Sequence, residues 1–98
     1  MDLKRAKTEL RKLIQEVNSE NSGKYYDKFG EVVESYRAAG GRGRYIYDYL
    51  TELDEEFSNK DKWKDEHFVD IMNRIAGYAP PFRKIIFDDF NEQTGEWR

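Results

Sequence analysis

The chain has 98 residues, a net charge of −3, and equal shares, 38% each, of hydrophobic and charged residues. The length suits one domain, and the absence of cysteine excludes disulfides and thiolate zinc sites. Because there is no apolar run of about eighteen residues and no apolar signal-peptide core, we expect a cytoplasmic protein with no membrane span.

Apolar residues recur at helical spacing from Leu3 to Asn18 and again from Lys24 to Ala39. The pattern predicts two amphipathic helices, the first capped by Asp2. The outer side of the first helix is basic, but its apolar stripe lacks the Trp or Phe that membrane-surface helices insert. We therefore interpret that side as the solvent-facing surface of a bundle helix.

The most unusual local sequence is the glycine- and arginine-rich segment 40–45. One interpretation is structural, with Gly40 or Gly41 ending the second helix before a tight turn. The other is functional, because flexible backbone, guanidinium groups and tyrosines are typical of phosphate and base contacts. The residues that would make these nucleic-acid contacts are Arg42, Arg44, Tyr45 and Tyr47.

The third predicted helix, from Arg42 to Phe57, has one apolar side and one acidic side. Its apolar stripe contains Ile46, Tyr49, Leu50, Leu53 and Phe57. Its carboxylates fall away from that stripe and are expected to face solvent. A DNA-recognition helix would present Arg, Asn, Gln or Ser there, whereas this one presents Asp48, Glu52 and Glu55, which would repel phosphate.

The fourth helix is predicted from Lys62 to Ala76 and ends at Gly77, because the Pro80–Pro81 pair prevents continuation. A fifth helix is predicted from Pro81 to Asn91, although residues 84–87 also have the character of a short strand. We prefer the helix, because no second strand is evident. Residues 92–98 are predicted to form a flexible tail unless Trp97 docks on the domain.

His67 is the single histidine, with Glu66 and Asp70 near it in sequence. A catalytic site would also need an anchored nucleophile, and a zinc site three or four ligands at set spacing. Neither pattern is present, so we predict a partly buried or surface histidine, no metal or other cofactor, and no enzymatic activity.

Together these patterns predict an all-α, compact single-domain bundle of four to five short helices. The predicted core consists of Leu10, Leu13, Ile14, Val17, Phe29, Val32, Val33, Tyr36, Ile46, Leu50, Leu53, Phe57, Phe68, Ile71, Met72, Ile75, Ile85 and Ile86. None of the motifs of small helical immunity proteins, phage-encoded inhibitors or helical DNA-binding domains is present.

Charge is divided along the chain. Residues 1–47 carry ten basic and seven acidic residues, and residues 48–98 carry seven basic and thirteen acidic residues. We therefore predict a non-enzymatic protein-binding module whose acidic helical face engages or inhibits a basic partner, such as a nucleic-acid-processing protein. The residues predicted to form that face are Asp48, Glu52, Glu55, Glu56, Asp65, Glu66 and Asp70. Nucleic-acid binding through the glycine-arginine segment is the alternative, and a homodimer is left open.

Overall fold

The structure, a computed structural model, describes residues 1–18, 20–57 and 62–98; the side chains of residues 22 and 62–65 are not described. Its helices and strands are α1 (Leu3–Glu16), α2 (Ser22–Ala38), α3 (Gly43–Phe57), α4 (Lys62–Ile75), β1 (Phe90–Asn91) and β2 (Glu96–Trp97). The predicted all-α fold is therefore confirmed, with a two-strand hairpin added to it. No helix in the described part of the chain is long and apolar enough to cross a membrane.

Two of the helix ends have the capping residues that the sequence predicts. The Asp2 side chain accepts a hydrogen bond from the backbone N–H of Arg5 at 2.8 Å and so caps α1. At the end of α2, Gly40 has φ of +88° and the N–H of Gly41 donates to the carbonyl of Tyr36 at 3.1 Å. This is a Schellman motif, in which glycine takes the left-handed conformation that turns the chain toward α3.

The four helices form a closed ring around a common core. Helix α1 packs on α2 and α3, and α4 packs on the same two helices from the other side. The resulting domain measures 35 × 26 × 24 Å. In this arrangement the apolar stripe of every helix can reach the centre, which is why one stripe per helix is sufficient for a domain of this size.

The core agrees with the prediction at fifteen of the eighteen positions, and the other three, Val32, Met72 and Ile86, are half-buried. Ala6, Phe87 and Phe90 are buried as well. Phe90 and Phe87 belong to the C-terminal segment, which closes one end of the helical ring. Large rings thus fill much of the interior, as the aromatic composition predicts.

The predicted fifth helix is wrong. Residues 81–83 form a turn, in which the N–H of Arg83 donates to the carbonyl of Pro80 at 2.8 Å, and residues 84–87 have no regular secondary structure. The N–H of Ile85 donates to the carbonyl of Arg74 at 3.0 Å. This bond ties the segment to the end of α4, so its backbone is satisfied without a helix. Ile85 and Phe87 are both buried, at the two-residue spacing of an extended chain.

The second strand, which the sequence did not make evident, is only two residues long. In the antiparallel hairpin Phe90 pairs with Trp97 and Asn91 with Glu96. The Trp97 ring packs on Phe90 and Tyr47, with centroid separations of 4.9 and 5.7 Å. Of the two alternatives for residues 92–98, the structure therefore has the one in which Trp97 docks on the domain.

Candidate functional site

The outer side of α3 carries three exposed carboxylates, Asp48, Glu52 and Glu55. They lie at spacings of four and three residues, opposite the stripe that contains the fully buried Leu50 and Leu53. We call these three residues the α3 acidic stripe. Within the described part of the chain no ion pair involves any of them, so their charge faces solvent.

Glu56 is also exposed but turns toward α1, where both of its oxygens accept hydrogen bonds from Arg11 at 2.6 and 3.1 Å. This bidentate bond raises the pKa of the Arg11 guanidinium. One turn earlier along the same seam, the Lys7 ammonium lies 5.1 Å from the centre of the Tyr49 ring. Glu56 therefore helps to join two helices, and its charge is matched within the chain.

On α4, Glu66 and Asp70 lie on the side that faces α2, close to Tyr26. Burial, together with the negative charge of both carboxylates, raises the pKa of Tyr26. Asp70 also pairs with Arg83 at 3.3 Å. The side chain of Asp65 lies outside those that the structure describes. Glu56 and Asp70 are thus matched by cations of the same chain, whereas no ion pair involves the α3 acidic stripe within the described part of the chain.

The glycine-arginine segment has a structural role at the start of α3. Asp89, which is buried, accepts the backbone N–H of Gly43 at 2.8 Å and that of Arg44 at 3.1 Å. These are the amides that a phosphate would seek at a helix N-terminus. Since a carboxylate of the chain itself occupies them, the anion site that the sequence suggests is already filled.

Contacts with α2 and with the C-terminal residues also hold the glycine-arginine segment in place. The Tyr36 hydroxyl donates to the carbonyl of Arg42 at 2.9 Å, and the Arg42 side chain donates to the carbonyl of Arg98 at 3.1 Å. A Cβ added at Gly43 would meet Phe87 and Trp97 at 2.5 Å. The glycine is therefore needed for close packing between the start of α3 and the C-terminal hairpin.

Of the four residues of the alternative nucleic-acid site, three lie at the surface and only Tyr47 is half-buried. Arg44 and Tyr45 are exposed, and 52% of Tyr45 is accessible. Tyr47 is half-buried against Trp97, and the Arg42 Nε atom lies 4.0 Å from the carboxylate of Asp89. Two of the four are thus engaged in holding the hairpin.

His67 is only 1% exposed and is not the partly exposed residue that the sequence suggests. Its ring stacks on Tyr26 at a centroid distance of 4.0 Å and an interplanar angle of 4°, and it touches Phe29. Among the described residues no three His, Asp or Glu side chains are grouped so that they could hold a metal ion.

Sequence reasoning missed two features. It did not single out Asp89, because a cap supplied from a distant part of the chain leaves no local pattern. It also included Phe82 in the predicted fifth helix, where its position matches the helical period of Ile85 and Ile86, whereas Phe82 is 86% exposed in a turn. The adjoining Pro80–Pro81 pair was the available indication that the segment would turn instead.

Comparison of the chain with protein-family models, with curated proteins and with solved structures gave no match. Inference about function therefore rests on the surface chemistry described above.

Proposed function

We propose that this chain is a non-enzymatic protein-binding module that engages, and by doing so inhibits, a basic partner through the α3 acidic stripe. The observation that carries the proposal is the exposure of Asp48, Glu52 and Glu55 along one side of a helix whose other side is buried. A rigid helix anchored in the core holds these charges in a fixed order, which favours recognition of a complementary surface.

The charges of the stripe repel one another. Asp48 and Glu52 are four residues apart and Glu52 and Glu55 three apart, spacings at which like charges destabilise a helix by about 0.2–0.5 kcal/mol per pair. A cationic surface placed over the stripe would relieve this repulsion. The repulsion within the stripe thus lowers the stability of the isolated domain slightly, whereas the same charges would attract a basic partner.

The class of partner follows from the geometry of the charges. Asp48 and Glu55 are separated by about 10 Å along the helix axis, given a rise of 1.5 Å per residue. A short row of anions on the exposed side of a helix fits a cationic cleft, such as the substrate channel of a nucleic-acid-processing protein. Occupation of that cleft would block its substrate, which is the action of immunity proteins and phage-encoded inhibitors.

The test is capture of partners from the source cells with a neutralised variant, Asp48→Asn/Glu52→Gln/Glu55→Gln. A matched control removes three other exposed carboxylates, in Glu20→Gln/Asp27→Asn/Glu31→Gln. We expect the wild-type chain and the control to retain a basic protein, in a salt-sensitive manner, and the neutralised variant to lose it. Equal capture by all three chains would contradict the proposal.

Nucleic-acid binding through Arg42, Arg44, Tyr45 and Tyr47 is the alternative proposal. The exposed Arg44 and Tyr45 favour it, while the filling of the helix N-terminus by Asp89 counts against it. Titration with DNA and RNA oligonucleotides at low salt separates the two proposals. Binding that disappears in an Arg42→Ala/Arg44→Ala variant would favour nucleic acid, and no binding at low salt would remove the alternative.

A further inference from the structure

The solvent side of α1 carries three exposed cations, Lys4, Arg5 and Lys12. Within the described part of the chain no ion pair involves any of them. They lie away from the buried Leu10 and Ile14, so their charge faces solvent. We call these three residues the α1 basic side. Helix α1 thus presents unmatched positive charge, as the α3 acidic stripe presents unmatched negative charge.

The two charged surfaces lie on neighbouring helices that run in the same direction. Lys7 of α1 lies over the ring of Tyr49 on α3, and one turn later Arg11 pairs with Glu56. The contacts therefore advance toward the C-terminus of both helices together, as they do between parallel helices. Because these contacts lie within or next to both charged surfaces, the two surfaces are at the same level along the bundle.

Both surfaces border this seam and have similar lengths. Lys4 is two turns before Arg11, and Glu52 is one turn before Glu56, so each lies on the side of its helix that adjoins the seam. At a rise of about 1.5 Å per residue, Lys4 and Lys12 are about 12 Å apart along the axis, close to the length of about 10 Å of the α3 acidic stripe. Rows of opposite charge therefore stand side by side on the face formed by α1 and α3.

An exposed aromatic side chain lies between these rows. Tyr45 is 52% exposed and is one turn before Tyr49, whose ring contacts Lys7 on α1. It therefore lies near the boundary between the two helices. Protein interfaces commonly combine an aromatic anchor with surrounding charged residues that stay partly accessible to water.

We propose that this face pairs two copies of the chain, with the α1 basic side of each copy over the α3 acidic stripe of the other. A two-fold axis between the two helices and parallel to them exchanges their positions and keeps their direction. It therefore sets each row of cations against a row of anions at the same level, without a shift along the helices. A second copy is the favoured occupant because one face carries both members of the complementary pair.

The inference rests on the proposed function in one respect, since the same stripe recognises cations in both. In the dimer the α1 basic side of the second copy covers the stripe, so a foreign basic partner has to displace it. Ion pairs between exposed side chains each contribute little and are screened by salt. We therefore expect a reversible dimer, in the micromolar to millimolar range, that dissociates as the salt concentration rises.

The first test is sedimentation equilibrium of the full chain at low and high salt. At low salt we expect the average mass to rise with concentration from 11.7 kDa toward twice that value. Between about 20 mM and about 300 mM salt the dissociation constant should increase at least about tenfold. The charge-reversed variants Lys4→Glu/Lys12→Glu and Asp48→Lys/Glu52→Lys should each stay monomeric, because like charges then face each other.

Mixing the two charge-reversed variants tests the pairing itself. Each reversed surface then meets one of opposite charge, so a one-to-one complex should form. The matched control is Glu20→Lys/Glu31→Lys, which has the same net charge as the reversed acidic stripe but changes exposed residues elsewhere. The control should dimerise as the wild type does, and it should bind Lys4→Glu/Lys12→Glu at least about tenfold more weakly than Asp48→Lys/Glu52→Lys does. Circular dichroism checks that all the variants keep the fold.

A wild type that stays monomeric at millimolar concentration and low salt would overturn the inference. So would a dimer that both charge reversals leave intact, or reversed variants that fail to pair when mixed. None of these results would contradict the proposed function, because capture of a foreign basic partner by the α3 acidic stripe is measured separately.

Discussion

Asp89 caps the helix that begins at Gly43, although the two residues are 46 positions apart in the chain. Its Oδ1 atom accepts the N–H of Gly43, and its Oδ2 atom accepts the N–H of Arg44. A carboxylate at this point also complements the positive end of the helix dipole. The C-terminal segment thus completes α3, which carries both the core stripe and the proposed binding surface.

Replacement of Asp89 by Ala should lower the free energy of unfolding by about 1–3 kcal/mol, because it removes the cap and leaves the buried amide of Gly43 without its acceptor. Urea denaturation measures the change. The neighbouring Asp88 is exposed, so Asp88→Ala should leave the midpoint nearly unchanged. Equal loss in the two variants would mean that the cap is not the stabilising contact.

Glycine-to-alanine substitutions at two helical positions should have different effects on the stability of the domain. Gly43→Ala should destabilise the domain by about 1–3 kcal/mol, because its Cβ would meet Phe87 and Trp97. Gly23→Ala meets nothing within 4 Å and should be neutral or stabilising by up to about 1 kcal/mol, through helix propensity. Thermal unfolding of the two variants provides the comparison, and a neutral Gly43→Ala would show that the hairpin does not pack as described.

Leu53→Ala should lower the free energy of unfolding by about 2–5 kcal/mol, since Leu53 is fully buried at the centre of the helical ring. For a chain of this length that is a large part of a total of about 5–15 kcal/mol. The exposed Val69, changed to Ala, serves as a control for the loss of apolar atoms. A Leu53→Ala protein that melts at the parent temperature would mean that the core lies elsewhere.

Alkaline pH should destabilise the domain through Tyr36. Burial raises the pKa of its hydroxyl above the ordinary value. The neutral form therefore contributes its full stability below about pH 10, and that contribution is lost as the pH rises through the folded-state pKa. Ionisation would also replace the hydrogen bond to the Arg42 carbonyl by repulsion.

Denaturant unfolding at a series of alkaline pH values measures this dependence. Tyr36→Phe should be less stable than the wild type near neutral pH by about 0.5–1.5 kcal/mol, since it lacks the hydrogen bond. Its stability should fall less steeply with rising pH. Tyr25 and Tyr26 also have raised pKa values, so part of the decline should remain in the variant. An identical slope in both proteins would contradict the assignment to Tyr36.

The helices were predictable because each one buries a single apolar stripe. The residues of such a stripe, for example Leu50 and Leu53, recur every three or four positions, so the pattern can be recognised from the sequence alone. The conformation of the C-terminal segment was not predictable, because Phe82, Ile85, Ile86 and Phe90 satisfy the helical period although the chain there forms turns, irregular structure and a short strand. Here contacts made by distant residues, such as the bond from Ile85 to Arg74, decide the backbone conformation.

The candidate site was predictable only in part. The sequence indicates that Asp48, Glu52 and Glu55 face outward, because their helix was recognised correctly. It cannot show that Glu56 meets Arg11 or that Asp70 meets Arg83, since both pairs depend on how the elements pack. For the same reason the glycine-arginine segment resembled an anion site, and the carboxylate that fills it was visible only in three dimensions.

During synthesis α3 emerges well before the residue that caps it. At about 5–20 residues per second, the 46 positions between Gly43 and Asp89 take roughly 2–9 s to translate. During that interval the backbone amides in the first turn of α3 are exposed to water. In any product that ends before Asp89 these amides remain uncapped. Truncated chains should accordingly be the ones that cellular proteases remove first.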